Sequence, residues 1–199
     1  ESINITGTEQ IFYFKQLFKI LELNGFQNKM THIGYGLVNR PDGKMSSRLG
    51  NVILYEDLRD DIYARLLVET KARHADWAEE KIVEVAKTLT QAILKFTMLK
   101  HEAEKMISFD IEEATSIEGY SAPYILYTVA RINSIGRKAN LKINKKKINF
   151  KLLNNREEKS LLVAVASYDD IIKKALANCN PSTVIKYCFD LAQEYNNYY

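Results

Sequence analysis

Two cysteines in 199 residues, Cys179 and Cys188, are too few and too far apart for a disulfide framework or a CxxC metal site. The three histidines do not cluster, so no metal is expected, and both thiols read as reduced core side chains. No apolar run approaches the about 20 residues that cross a bilayer. The opening Glu1-Ser2-Ile3-Asn4 lacks the basic start of a secretory signal. The expectation is therefore a cytoplasmic protein with no membrane contact. There is no GxxxxGK[ST] phosphate loop and no internal repeat. An initiator Met is also missing, and the last helix runs into Asn196-Asn197-Tyr198-Tyr199 without a cap. Both features lead to the expectation of a segment from a longer chain.

What is present is an ordinary globular composition, 46% hydrophobic and 27% charged. The formal net charge of +3 hides an uneven distribution. From Arg137 to Lys159, nine Lys and Arg residues face only Glu157 and Glu158. A basic block on a near-neutral body is the footprint of a polyanion contact, although a solvated lysine-rich loop has the same composition.

The first part reads as α/β. Ile3-Asn4-Ile5 is a short strand, and Thr8 can cap the helix that follows. Ile11, Phe14, Leu17, Phe18 and Leu21 step at helical spacing, and Asn24-Gly25 ends the run. Residues 29–38 are extended and glycine-punctuated, which makes one βαβ unit of a Rossmann-type sheet. From Tyr55 onward the pattern is helical, over 56–70 and then from Asp76 along the stripe Ile82, Val85, Ala86, Leu89, Ile93, Phe96 and Leu99. Ser108-Phe109-Asp110 breaks it. Pro123 fits the first turn of a helix through Ile135. A basic loop over 140–155 precedes helices at 157–177 and 183–199.

The stretch Gly43-Lys44-Met45-Ser46-Ser47-Arg48-Leu49-Gly50-Asn51 carries the clearest chemistry. Two cations flank two hydroxyls between glycines, which suits a loop that closes on phosphates and stabilises charge as pyrophosphate leaves. It resembles the KMSKS loop of class I aminoacyl-tRNA synthetases. Further matches follow in order: Gly7-Thr8-Glu9-Gln10, His32-Ile33-Gly34-Tyr35-Gly36, Phe109-Asp110, Glu118-Gly119, Tyr124 to Ile132, and the closing Tyr-Asn-Asn-Tyr-Tyr. Together they resemble the C-terminal part of arginyl-tRNA synthetases. The domains implied are the end of a class I catalytic domain over 1–54, connecting helices over 55–117, and a helical anticodon-binding domain over 118–199, truncated at its C-terminus. The fold implied is mixed, a Rossmann-type α/β remnant followed by a helical bundle.

The family implies an arginine–tRNA ligase with ATP as co-substrate, Mg2+, L-arginine and arginine tRNA, working as a monomer. Lys44, Ser46 and Arg48 match the catalytic loop, with Met45, Ser47, His32 and Gly36 beside ATP. The usual fourth lysine of KMSKS is Ser47 here. Gln10 matches a glutamine beside the bound arginine, while Tyr13 stands where a histidine is usual and is not assigned a catalytic role. His32-Ile33-Gly34-Tyr35 imitates HIGH but has Tyr35 for its second histidine, and the favoured reading of His32 beside the ATP one is a structural residue. Tyr124, Tyr127 and Arg131 at i, i+3 and i+7 share a helix face suited to stacking on splayed anticodon bases. The same three residues could instead be core tyrosines and an ion-pair partner. The HIGH segment and the acidic residues that would select a guanidinium are not in the chain. The expectation is half an active site, inactive alone. The alternative is a non-catalytic tRNA-binding module. A cysteinyl-type synthetase is disfavoured by the lack of zinc-ligand cysteines.

Overall fold

The computed structural model describes residues 1–39, 41, 54–140 and 149–199. They form two compact units, Glu1–Leu54 with His101–Asp110, and Tyr55–Lys100 with Ile111–Tyr199.

In the first unit, β1 (Ser2–Gly7) and β2 (Met30–Tyr35) pair in parallel, in the register Ser2 to Met30 through Gly7 to Tyr35. Parallel neighbours need a crossover, and α1 (Ile11–Leu23) supplies it. The helix stops as its sequence dictates. Gly25 takes φ +85, and the Phe26 and Gly25 amides donate to Leu21 and Glu22 carbonyls, both at 3.0 Å. Gly34 is buried on β2, where a Cβ would press Ile11 at 3.2 Å, so the small residue lets α1 close on the strand.

A second parallel pair joins β3 (Val38–Asn39) to β4 (Ile107–Ser108). The Gly36 amide donates to Ala103 at 2.8 Å, Ile107 to Leu37 at 2.9 Å, and Phe109 to Asn39 at 2.7 Å. Residues 101–110 therefore return to the first unit, although the sequence reading grouped them with the connecting helices. The break at 108–110 is the end of this short strand.

The second unit is a helical bundle. α2 (Tyr55–Arg73) turns Leu58, Ile62, Leu66 and Thr70 inward, one residue per turn. They pack on α3 (Glu79–Leu99), where Ile82, Ala86, Thr90, Ile93 and Phe96 are buried. Ile62 and Ile93 are wholly enclosed. Thr90 donates its hydroxyl to the Ala86 carbonyl at 2.8 Å, so its burial leaves no orphan donor. The short α4 (Ile111–Thr115) leads to α5 (Ala122–Lys138), which has Ser121 as N-cap and Pro123 in its first turn. Ser121 Oγ accepts from the Tyr124 amide at 3.4 Å and donates to the Ser116 carbonyl at 2.7 Å.

One helix was expected over 157–177; there are two, α6 (Arg156–Ala166) and α7 (Tyr168–Ala177). The backbone turns at Ser167, whose hydroxyl donates back to the Ala164 carbonyl at 2.8 Å. α8 (Ser182–Tyr198) packs against α3, α5, α6 and α7 and is the axis of this unit. An aromatic cluster joins it to α3 and α5: Phe96 to Tyr120 at 5.0 Å, Tyr120 to Phe189 at 4.7 Å, and Tyr124 to Phe189 at 5.2 Å. Burial, followed by the nearby Asp190 and Cys188, pushes the Tyr120 hydroxyl above the usual tyrosine range. Cys179 and Cys188 are free and only part-buried, so they are not the core thiols expected.

Candidate functional site

Two groups of sequence-predicted residues fall in the described structure, one in each unit. Lys44, Met45, Ser46, Ser47 and Arg48 lie outside the described residues, as does the Lys145-Lys146-Lys147 run.

In the first unit, Gln10 stands at the exposed start of α1, just past the C-terminal end of β1. Ligands of open α/β sheets bind at that end of the strands. His32 has partners within the unit. Its Nε2 lies 2.8 Å from Thr6 Oγ1, and its ring stacks on Phe14 with centroids 4.4 Å apart and planes 10° from parallel. Those contacts tie β1, β2 and α1 together, which supports the structural alternative for His32. Gly36 has a packing reason too. A Cβ there would collide with the Lys105 and Met106 backbone, so its lack of a side chain serves the β3–β4 return. The packing of the protein's own chain is thus reason enough for a glycine at Gly36.

In the second unit, Tyr124, Tyr127 and Arg131 all lie on α5, but they do different things. Tyr124 is part-buried, and its Oη accepts from Asn196 Nδ2 of α8 at 2.9 Å. The other Asn196 amide hydrogen goes to Thr128 Oγ1, also at 2.9 Å, while Thr128 itself donates to the Tyr124 carbonyl at 3.0 Å. Tyr124 is held inside the α5–α8 seam. Arg131 lays its guanidinium over the Tyr199 ring, 4.1 Å from the centroid, and Tyr199 stacks on Tyr195 with centroids 6.3 Å apart. This cation–π stack has an exposed tyrosine at its surface, since Tyr199 is 63% exposed. Tyr127 is 55% exposed and unburdened by that seam.

The arrangement offers planar aromatic faces, one guanidinium and polar edges, which are the groups that bind unstacked bases. Sequence reasoning noticed the Tyr-Asn-Asn-Tyr-Tyr ending but gave it no role. The missed signal is its spacing: Tyr195 and Tyr199 at i, i+4 share a face, with Asn196 beside them.

Among the described residues no group of three His, Cys, Asp or Glu side chains could hold a metal ion. No described helix is long and apolar enough to cross a membrane.

A parallel βαβ unit ahead of a helical unit fits a class I aminoacyl-tRNA synthetase segment, and comparison with known proteins shows that class. The family described as "tRNA synthetases class I (R), catalytic domain" matches residues 1–111, and the "DALR anticodon binding domain" matches residues 125–199. The chain belongs to the arginyl-tRNA synthetase family. It is 37% identical over 202 aligned residues to the arginine–tRNA ligase of Borrelia turicatae, covering 100% of this chain and 34% of that protein. It is 35% identical to the arginine–tRNA ligase of Clostridium botulinum, again over 100% of this chain and 35% of the relative. Among solved structures, the Thermus thermophilus arginyl-tRNA synthetase superposes with a TM-score of 0.86 at 25% identity, covering 100% of this chain and 33% of that one. The Plasmodium falciparum arginyl-tRNA synthetase, at 22% identity and a TM-score of 0.81, shares the fold over 99% of this chain and 34% of its own. The chain spans about a third of the length of the relatives it matches.

Proposed function

We propose that these residues are a working segment of an arginine–tRNA ligase, which activates arginine with ATP and transfers it to the 3′ end of its tRNA. The observation that carries the reading is the matched order of the two units in one chain: a catalytic-domain end followed by a helical unit whose α5–α8 seam presents Arg131 and Tyr199.

The chemistry follows from where charge develops. A carboxylate oxygen of arginine attacks the α-phosphorus of ATP, the bond to the β-phosphate oxygen breaks, and pyrophosphate leaves. Lys44 and Arg48 would neutralise that departing charge, with the Ser46 hydroxyl donating to a phosphate oxygen. Gln10, at the strand end, would hold the amino acid through a neutral amide that accepts and donates without a charge clash. The terminal ribose hydroxyl then attacks the activated carbonyl and AMP leaves. His32 positions β1 and β2 and takes no part in these bonds. When bound, Mg2+ would supply further positive charge to the ATP phosphates beside Lys44 and Arg48. On this reading the enzyme is a cytoplasmic monomer whose tRNA is gripped by the helical unit.

The test is aminoacylation by the full-length enzyme carrying this segment. Arginine-dependent charging of arginine tRNA is expected. Charging with another amino acid, or none, overturns the reading.

A further inference from the structure

One helical turn before the Arg131–Tyr199 stack, the α5–α8 seam holds a polar cluster. Asn196 precedes Tyr199 by three residues, and Thr128 precedes Arg131 by three on α5. The Asn196 amide nitrogen donates to Thr128 Oγ1 and to Tyr124 Oη, both at 2.9 Å. Thr128 is 2% exposed, and its own hydrogen goes to the Tyr124 carbonyl at 3.0 Å, so its oxygen is left to accept. The two bonds tie one point of α8 to two successive turns of α5.

Stability alone does not account for an amide here. Its Oδ1 is buried with no partner among the described residues, and a buried orphan acceptor is unfavourable. An apolar side chain would fill the seam without that penalty. Apolar packing has no direction, however, whereas two hydrogen bonds to fixed oxygens set both the rotation and the rise of α8 against α5. The neighbouring stack is sensitive to both. The Arg131 guanidinium lies over the Tyr199 ring, 4.1 Å from its centroid, and the attraction falls as the cation leaves the ring face. A guanidinium that is not held in one plane loses the fixed fork with which arginine pairs a planar partner. Neither seam residue is placed to meet RNA itself. Thr128 is enclosed, and Asn196 has its amide hydrogens committed and its oxygen buried.

We propose that Asn196 and Thr128 are positioning residues for tRNA selection, fixing α8 against α5 so that Tyr199 holds the Arg131 guanidinium in the orientation that distinguishes one tRNA from another. This rests on the tRNA-binding reading above.

Thr128→Val keeps the branched shape and removes the oxygen that receives the amide. In the full-length enzyme it should shrink the preference for arginine tRNA over a non-cognate tRNA about fivefold, the worth of one hydrogen bond, and leave filter binding of the non-cognate unchanged. Asn196→Leu should do the same, and Thr128→Ser, which keeps the hydroxyl, should retain the wild-type preference. In an Arg131→Ala background Thr128→Val should shrink the preference no further, because the group it aligns is gone. A lowered urea midpoint with the preference intact would show a role in stability alone and overturns the proposal. A loss that adds in full to that of Arg131→Ala, or equal weakening of both tRNAs, overturns it as well. If the valine variant fails to fold, Asn196→Leu, at a part-exposed position, carries the same comparisons. Arg131→Ala separates the two readings. If it shrinks the preference while both seam variants do not, the positioning role falls alone; if it leaves the preference as in wild type, the underlying reading falls and the positioning role with it.

Discussion

Arg131 and Tyr124 sit seven residues apart on one helix face, yet one serves a surface stack and the other an internal hydrogen bond. Spacing alone could not separate them, because the partner that decides, α8, arrives from some 70 positions away in sequence. Lys44 and Arg48 are assigned from residue type and order alone, and they lie outside the described residues. In the full-length enzyme, Lys44→Ala or Arg48→Ala should slow adenylate formation by about a hundredfold while changing ATP affinity little, since loop cations act on charge that develops in the transition state. Pre-steady-state adenylate formation reads this directly; an unchanged rate with a large loss of ATP affinity would make the loop a binding element only. Cys188 makes a second prediction. Burial pushes its thiol above the ordinary cysteine range, so the neutral form is favoured in the fold. The stability attached to that shift is present below the ordinary thiol range and is lost as pH climbs through the raised value. Iodoacetamide at pH 8 should therefore alkylate Cys188 more slowly in the native chain than in urea. Equal rates would contradict the burial described.

Most elements were readable because their signals are local. The stripe on α3, the Gly25 stop of α1 and the Pro123 start of α5 each depend on a few neighbouring residues. The β3–β4 pair was not readable. Two strands of two residues carry no periodicity, and only the approach of the 105–106 backbone to Gly36 explains why a glycine stands there. The division of 157–177 at Ser167 was hidden for a related reason, since serine is tolerated inside helices and only its bond to Ala164 marks the turn. After α7, Cys179 takes φ +48, a position where glycine is the usual signal. Where two helices are pinned by one residue, the structure predicts a cost. Asn196 supplies both hydrogens that join α8 to Tyr124 and Thr128, and its Oδ1 is buried without a partner among the described residues. Asn196→Ala should lower stability by about 1 kcal/mol, the net worth of the lost bonds offset by relief of that orphan carbonyl. Urea unfolding followed by circular dichroism measures it, and an unmoved midpoint would mean the seam is held by packing alone.

At the scale of the whole molecule, family membership was legible from the order of several short motifs, each weak alone. Residues 101–110 join the first unit through pairing that no local pattern announces. The helical unit is proposed to read arginine tRNA through the α5–α8 seam. Filter binding of arginine tRNA and a non-cognate tRNA across a salt series tests it most directly. Arg131→Ala should weaken arginine tRNA by about tenfold and shrink its preference over the non-cognate, with the salt slope little changed, because the contact is to a base. Replacing Lys145, Lys146 and Lys147 with alanine should weaken both tRNAs alike and flatten the slope, as lost phosphate contacts do. Equal weakening of both tRNAs by Arg131→Ala, or no change in either, would contradict the account and leave the Arg131–Tyr199 stack as packing within the bundle.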